Sequence, residues 1–510
     1  MVMRLSGLAS GMDIDQMVSE LMRAHRMRVD KSYQQKQILE WRREDYRTIN
    51  TKLLTLRNSV FDMKLQGTFM TKTASSSNSD ILTATAGGSA VAGDYSVTVH
   101  NLATGVTKSS TEALAASYTG SGSDRVIKTL GEQFSLTGSV TFTLQGNVNG
   151  EVKEQAFTFN TASQNIYDVV GTINNAGLGI KASYDSNLER FFLMTSGTGE
   201  QAEIHVKADE QNFLTDHLKL NVNVGADEAN AHRGTDAVID FNDATGLKFS
   251  SNQFTVNGIN LNLKAESGQT VKVSVSQDVD AILNKIKSFV EAYNSTIESI
   301  TGKLNEERNR DYQPLTDDQK KDMSDREIEK WEEKARSGML KADQLLSNAY
   351  YRIRSVTTAR VEGLSGKYTS LSSIGINTKN WYEDQSGKLE INETMLREAL
   401  ANDPEGVMNL FTKSSESSSE SGVAIKLYDA VNNAISQITT KAGSSAALYD
   451  DSILGEDITR LNKSISLAEE RLLQLENRYY RQFTAMEQAI NQMNMQSMWM
   501  TQMFSGGGQG

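Results

Sequence analysis

The hydrophobic period of the chain changes twice, from helical to alternating and back. Over 13–63 there is neither glycine nor proline, and apolar residues recur at steps of three and four: Ile14, Val18 and Leu21, then Tyr46, Ile49, Leu53, Leu56, Val60 and Met63. That spacing puts them on one face of a helix. The run Gln34-Gln35-Lys36-Gln37 interrupts the stripe, so the second half is the firmer coiled-coil segment. Asp13, with Gln16 three residues on, resembles a capping box and marks the helix start.

At Thr71 the composition turns to Thr, Ser, Ala, Gly and Asn, and the period drops to two. Tyr95-Ser96-Val97-Thr98-Val99 alternates as a half-buried strand does, and Val140-Thr141-Phe142-Thr143-Leu144 and Ala156-Phe157-Thr158-Phe159 flank a polar Gly/Asn loop. Asn257-Gly258 stands between two alternating runs, the strongest short-range hairpin signal. With one short helix over 164–174, the stretch 71–276 predicts two small β-rich domains, one inserted in the other.

From Asp278 the helical period returns as Ile282, Ile286, Phe289, Tyr293, Ile297 and Ile300, a stripe complementary to that of 46–63 and expected to pack beside it. Charges dominate 304–336, where Thr316 with Gln319 and Ser324 with Glu327 predict two short surface helices. The Ser/Glu tract 414–421 reads as a mobile loop and 425–440 as a further helix. The last element carries the clearest stripe: Ile458, Leu461, Ile465, Ala468, Leu472, Leu475, Tyr479, Phe483, Met486, Ile490 and Met493, with a stutter at Tyr479 and Phe483. At 1.5 Å per residue, 456–504 would be about 70 Å long, so it must lie along other long helices. Past Arg481 charge almost vanishes, and Met486, Met493, Met495, Met498, Trp499, Met500, Met503 and Phe504 cover the helix nearly all round. A helix without a polar face needs burial, here between chains. A surface-lying membrane helix would need Lys and Arg that this segment lacks. Ser505 to Gly510 reads as a disordered tail.

The expected fold is therefore α+β and multidomain, with long N- and C-terminal helices forming a coiled-coil and helical bundle and two β-rich domains inserted between them. The expected boundaries are 1–42 with 456–510 for a terminal coiled-coil leg, 43–71 with 278–455 for a helical bundle, 72–105 with 236–277 for a β-rich head domain, and 106–235 for a second, inserted one. Ile14, Val18 and Leu21 are the expected N-terminal half of the leg. The stripe Ile458, Leu461, Ile465, Leu472, Leu475, Tyr479, Phe483, Met486, Ile490 and Met493 is the expected oligomer interface.

Composition narrows the chemistry. A length of 510 residues suits three or four domains, and only 2 prolines leave long helices uninterrupted. The absence of cysteine removes disulfides, thiolate metal sites and thiol nucleophiles, and leaves the compartment open. No apolar run approaches a membrane span, and a net charge of -12 opposes a nucleic-acid partner, so neither membrane nor nucleic acid is expected. The start shows no basic segment followed by an apolar core, so export, where it occurs, would take a route other than the usual secretory signal. Gly197-Thr198-Gly199-Glu200-Gln201-Ala202 matches GxGxxA, but Ala202 to Val206 alternates like a strand where a dinucleotide fingerprint requires a helix. His25, His100, His205, His217 and His232 are scattered, and Asp13/Asp15, Asp317/Asp318 and Asp450/Asp451 read as caps or solvated surface. No catalytic signature is present, so no cofactor, no metal and no enzymatic activity are expected.

Several local patterns resemble one known family. Leu5-Ser6-Gly7-Leu8-Ala9-Ser10-Gly11-Met12-Asp13, followed by Val18, Leu21 and Met22, is similar to the opening of the bacterial flagellar filament cap family, the flagellar hook-associated protein 2 family. So are the block from Pro314-Leu315-Thr316-Asp317-Asp318-Gln319-Lys320 through Trp331 to Gly338-Met339-Leu340, and Arg478-Tyr479-Tyr480-Arg481-Gln482-Phe483-Thr484-Ala485-Met486-Glu487. Asn174 to Tyr184, leading to Leu193 to Gly199, resembles a repeat shared by flagellar hook and filament proteins, which accounts for the false dinucleotide motif. Residues 109–138 match no family pattern. Family members often carry proline near Arg28; its absence here predicts an unbroken helix.

The resemblance implies a non-enzymatic homo-oligomeric cap at the extracellular tip of the growing filament, a pentamer with a hexamer or stacked rings as alternatives. Exported flagellin would fold and insert beneath it rather than being lost. It further implies export by the flagellar type III apparatus with a dedicated chaperone, contact with the hook-filament junction protein, and a β plate turning over leg-like helices. The rival readings are a surface adhesin that binds host glycan or mucin through the β domains, and a tip hydrolase, for which no catalytic constellation is found.

Overall fold

The computed structural model describes residues 13–120, 125–380, 382, 384–444, 447 and 449–506, with side chains through 502. The family-like opening from Leu5 to Met12, the side chains of Met503 and Phe504, and most of the Ser505 to Gly510 tail lie outside the described residues. The chain forms two compact units, one from Met1–Phe69 and Val279–Gly510, the other Met70–Asp278.

The first unit opens with α1 (Ile14–Lys64), 51 residues without a break at Arg28 or at 34–37, as expected of a stretch free of proline and glycine. Asp13 Oδ1 accepts the Gln16 N–H at 2.9 Å. The Gln16 side chain reaches forward to Glu20 rather than back, so only half of a capping box is made. A single turn, α2 (Gln66–Phe69), follows.

The second unit begins with β1 (Lys72–Ser76), β2 (Leu82–Ala86) and β3 (Gly93–Asn101). Next come β4 (Thr107–Ser109), β5 (Tyr118–Thr119), β6 (Val126–Ile127), α3 (Leu130–Phe134), β7 (Ser139–Val148), β8 (Glu151–Asn160), α4 (Ile166–Asn175), β9 (Ile180–Asp185), β10 (Arg190–Thr195), β11 (Glu203–Asp209) and β12 (His232–Arg233). The unit closes with β13 (Ala237–Phe241), β14 (Ala244–Phe249), β15 (Gln253–Val256), β16 (Ile259–Leu263) and β17 (Thr270–Gln277).

Two hydrophobic cores divide these strands. An antiparallel sheet ordered β1-β17-β3-β13-β14 and a second ordered β15-β16-β2 enclose Leu82, Val97, Val99, Ile239, Ile259, Leu261 and Val273. The chain between β3 and β13 builds the other core from the sheets β12-β11-β7-β8 and β4-β10-β9, with Phe142, Phe157, Phe159, Ile173, Phe191 and Ile204 inside. Asn257 and Gly258 both take positive φ, 50° and 76°, which fits the two-residue hairpin turn their sequence predicts. The β7–β8 connection differs from expectation. Its strands pair out to Val148 and Glu151, and the polar loop shrinks to Asn149 and Gly150. Gly146 inside β7 is required by close approach, because a Cβ there would stand 2.2 Å from the Leu178 carbonyl oxygen.

The first unit resumes with α5 (Val279–Asn305), α6 (Asp317–Lys321), α7 (Asp325–Arg336) and α8 (Gln344–Thr358). The ribbon β18 (Ile376–Thr378) and β19 (Leu389–Ile391) leads to α9 (Glu393–Asn402), α10 (Pro404–Thr412), α11 (Val423–Ala442) and α12 (Ile453–Gly506). The stripe Tyr46 to Met63 of α1 packs against Ile282, Ile286, Phe289, Tyr293, Ile297 and Ile300 of α5 and Leu427, Val431 and Ile438 of α11, as the complementary periods require. Tyr46 donates to Asp343 Oδ2 at 2.6 Å; burial, then this bond to a carboxylate, pushes its phenol well above the ordinary range. The tract 414–421 is tied down rather than loose. Ser421 Oγ donates to the Ser415 carbonyl at 3.1 Å, and the Gly422 N–H donates to the Lys413 carbonyl at 2.7 Å.

Leu53, at 0% exposure, sits at the centre of this packing. Leu53→Ala should cost about 2–5 kcal/mol, read as a lower urea midpoint of the helical unit. The fragment 70–278, which closes on itself through β1–β17 pairing, should show a cooperative thermal transition when expressed alone; a random-coil spectrum would contradict it.

Candidate assembly surface

The last helix is aimed by the loop before it. Asp450 Oδ2 lies 3.1 Å from Arg43 Nη1 and 2.7 Å from Arg47 Nη2, while Arg47 Nε donates to the Ala442 carbonyl at 2.8 Å. On the other carboxylate oxygen Asp450 accepts from Ser452 Oγ at 2.6 Å and from its N–H at 3.2 Å. Burial pushes the Asp450 carboxyl up, but the Ser452 hydrogen bonds and the charges of Arg47 and Arg43 outweigh it and hold the group below the usual carboxylate range. This latch reverses the chain so that α12 runs antiparallel to α1. Tyr33 hydrogen-bonds Glu469, which lifts its phenol to about 12, and Tyr480 donates to Asp15 at 2.9 Å.

The seam between the two helices is apolar. Ile14, Val18 and Met22 are buried against Leu472, Leu475, Tyr479, Tyr480 and Phe483. Nearer the latch Ile458 and Ile465 are buried and Leu461 is half-buried. Leu21 does not join: the seam follows the every-fourth row Ile14, Val18, Met22, leaving Leu21 42% exposed and Met22 4%. The structure thus brings Ile14 and Val18 together with Leu472, Leu475, Tyr479 and Phe483 inside one chain. Among the described residues Met486, Ile490 and Met493 do not join that seam. Ile490 is half-buried, Met486 and Met493 are exposed, and Met495, Met498, Trp499 and Met500 follow them into the open.

The two short helices expected at the surface do more than that. Trp41 of α1 packs on Ala335 and Met339, with Ile38, Tyr312 and Trp331 around it. Gln34 Nε2 donates to the Pro314 carbonyl at 2.7 Å, and Asp45, 2% exposed, pairs with Arg336 at 3.1 Å and Lys303 at 3.2 Å. The Thr316/Gln319 capping box is made, and at the Ser324 start the Glu327 carboxylate accepts from the Ser324 N–H at 2.9 Å and from its Oγ at 2.7 Å. The strap 306–343 therefore covers α1 where its stripe is interrupted. Sequence reasoning missed this role; the signal was Trp331 and Ala335, four residues apart on a mostly charged helix.

The family model described as "Flagellar hook-associated protein 2 C-terminus" matches residues 234–495, and the corresponding N-terminus model matches 10–105. The chain belongs to the flagellar hook-associated protein 2 family. A flagellar hook-associated protein 2 of Halalkalibacterium halodurans is 32% identical, covering 98% of this chain and 100% of its own length, and one of Thermotoga maritima is 24% identical, covering 99% and 96%. The crystal structure of the D1-D2-D3 domains of the flagellar cap protein FliD from Escherichia coli shares the fold, with a TM-score of 0.53 and 20% identity over 82% of this chain and 99% of that one. The adhesin reading gains no support from these hook-associated relatives.

The remaining sequence candidates resolve into structure. Gly197 to Ala202 form the turn between β10 and β11, where a Cβ on Gly199 would strike Ser250 and Asp236. His100 pairs with Asp240 at 2.7 Å, and buried His205 hydrogen-bonds the Gly225 carbonyl at 2.8 Å through Nε2. Among the described residues no group of three or more His, Asp or Glu is placed to hold a metal, and no helix is long and apolar enough to cross a membrane.

The Asp450 latch makes a testable claim. Its folded pKa is depressed, so its contribution is present above the ordinary carboxylate pKa and is lost as pH falls through the folded value. Asp450→Asn at neutral pH should mimic that loss, speeding amide exchange over 453–465 while exchange in the fragment 70–278 stays unchanged.

Proposed function

We propose that the chain works as a homo-oligomeric cap at the distal, extracellular tip of the bacterial flagellar filament, where it promotes folding and insertion of exported flagellin and prevents its loss. The observation that carries this reading is the open end of α12. A helix end whose apolar side chains stand in solvent on a single chain gains about 1.5–3 kcal/mol for each large side chain buried on association. The α1–α12 seam, already satisfied within the chain, acts as a rigid leg that presents this end. The family of the chain supplies the context in which such a leg meets flagellin.

The role is structural rather than catalytic. Subunits form a pentamer, with a hexamer or stacked rings as alternatives, and the hook-filament junction protein and a type III export chaperone are further partners. The working parts are the leg (1–42 with 456–510), the bundle (43–71 with 278–455), the head domain (72–105 with 236–277) and the inserted head domain (106–235). Within α12, Ile458 to Phe483 hold the leg together, and Met486, Ile490 and Met493 begin the surface that meets other subunits or the filament.

Replacing Met486, Ile490 and Met493 with serine should weaken oligomers in sedimentation and release unpolymerised flagellin into the medium, while the β unit keeps its thermal transition. Normal oligomers and full-length flagella in that variant would refute the assignment.

A further inference from the structure

Methionine supplies most of the apolar surface at the far end of α12. Met493, Met495, Met498 and Met500 are 64, 58, 72 and 55% exposed. Elsewhere among the described residues only Met27 exceeds half exposure, while Met22, Met63 and Met339 are buried. Burial alone does not demand this residue, for the intrachain part of the same helix uses Ile458, Leu461, Ile465, Leu472 and Leu475. Methionine is concentrated where the side chains of α12 are most exposed. What separates it from leucine there is a thioether that mild oxidants reach and convert, reversibly, into a polar group.

We propose that Met493, Met495, Met498 and Met500 form a peroxide-sensitive modification site that controls assembly of the free chain. A sulfur lone pair attacks one oxygen of hydrogen peroxide, the O–O bond breaks and an S=O bond forms. The proton on the transferred oxygen passes to the departing hydroxide, which leaves as water; sulfur loses two electrons and the peroxide gains them. The product sulfoxide is a strong acceptor, and each one buried without a donor lowers association on the order of tenfold. Oxidation of the four residues before assembly therefore keeps the helix end in solvent, and methionine sulfoxide reductases restore it. Once buried between subunits the same sulfurs are shielded. This inference rests on the reading that the helix end is buried in the assembled cap.

The test uses the full-length chain exposed to graded hydrogen peroxide, with sulfoxides mapped by mass spectrometry and oligomers followed by sedimentation. Sulfoxides should appear first at Met493, Met495, Met498, Met500 and Met27 and last at Met22, Met63 and Met339. Oligomers should be lost in step with the first four and return after reductase treatment. Whatever level of oligomer M493L/M495L/M498L/M500L forms untreated, peroxide should lower it no further, whereas M27L should remain as sensitive as the native chain. Normal assembly of a chain carrying all four sulfoxides, or equal peroxide sensitivity of the leucine variant, would overturn the proposal. Where the leucine variant fails to assemble untreated, loss and reductase rescue in the native chain decide. Normal assembly of a chain with serine at the four positions would instead overturn the burial reading beneath it.

Discussion

The structure depends on one requirement: a 51-residue helix must be covered along its whole length. In proteins most helical stability comes from tertiary packing of an apolar face, so the apolar stripe of α1 needs partners. Three partners serve in succession. The antiparallel α12 covers Ile14 to Met22, the strap covers Gln34 to Asp45, and α5 and α11 cover Tyr46 to Met63. Since every partner lies in the C-terminal half, the chain has to return, and the β unit is an excursion whose ends meet, with Lys72 opposite Gln277 in the β1–β17 ladder.

Where one partner gives way to the next, the seam carries charge. Asp45 is buried beside Lys303 and Arg336, and Arg43 and Arg47 reach Asp450 one turn away. Buried pairs of this kind add little net stability over well-packed apolar residues, but losing one partner is costly. They tie α1 at fixed points, to Lys303 and Arg336 through Asp45 and to the loop before α12 through Asp450. Asp343 extends the same logic, capping α8 through the Leu346 N–H at 3.0 Å while accepting from Tyr46.

Most of this architecture is legible in the sequence because it rests on local rules. The periods of 13–63, 282–300 and 458–493 fix the helices, Asn257-Gly258 fixes a hairpin, and the Thr316 and Ser324 capping signatures fix two short helix starts. Thr129 with Glu132 makes a full box and starts α3, in a stretch that matches no family pattern; a helix of 5 residues is too short to show a period. What periodicity leaves open is the identity of a partner. The polar run 34–37 reads as a weakness of the stripe, yet it marks a change of partner, and Leu21 ranks with Val18 by hydrophobicity yet falls outside the seam. Likewise the stripe from Ile458 to Met493 signals burial at every step, but nothing in its spacing tells that the part up to Phe483 is buried by the chain's own first helix.

The far end of α12 carries amides and hydroxyls in place of charge. Between Arg481 and Met503 the one charged residue is Glu487, and the uncharged polar positions are Gln482, Thr484, Gln488, Asn491, Gln492, Asn494, Gln496, Ser497, Thr501 and Gln502. A charged side chain would keep the free helix soluble but would cost several kcal/mol to bury without a partner. Neutral amides and hydroxyls hydrogen-bond water in the free chain and can be buried at a much lower cost once they find a donor or acceptor. The charged face of α7, opposite Trp331 and Ala335, shows the other choice for a surface exposed to water. Replacing charge by amide lowers the cost that any later burial of this helix end would carry.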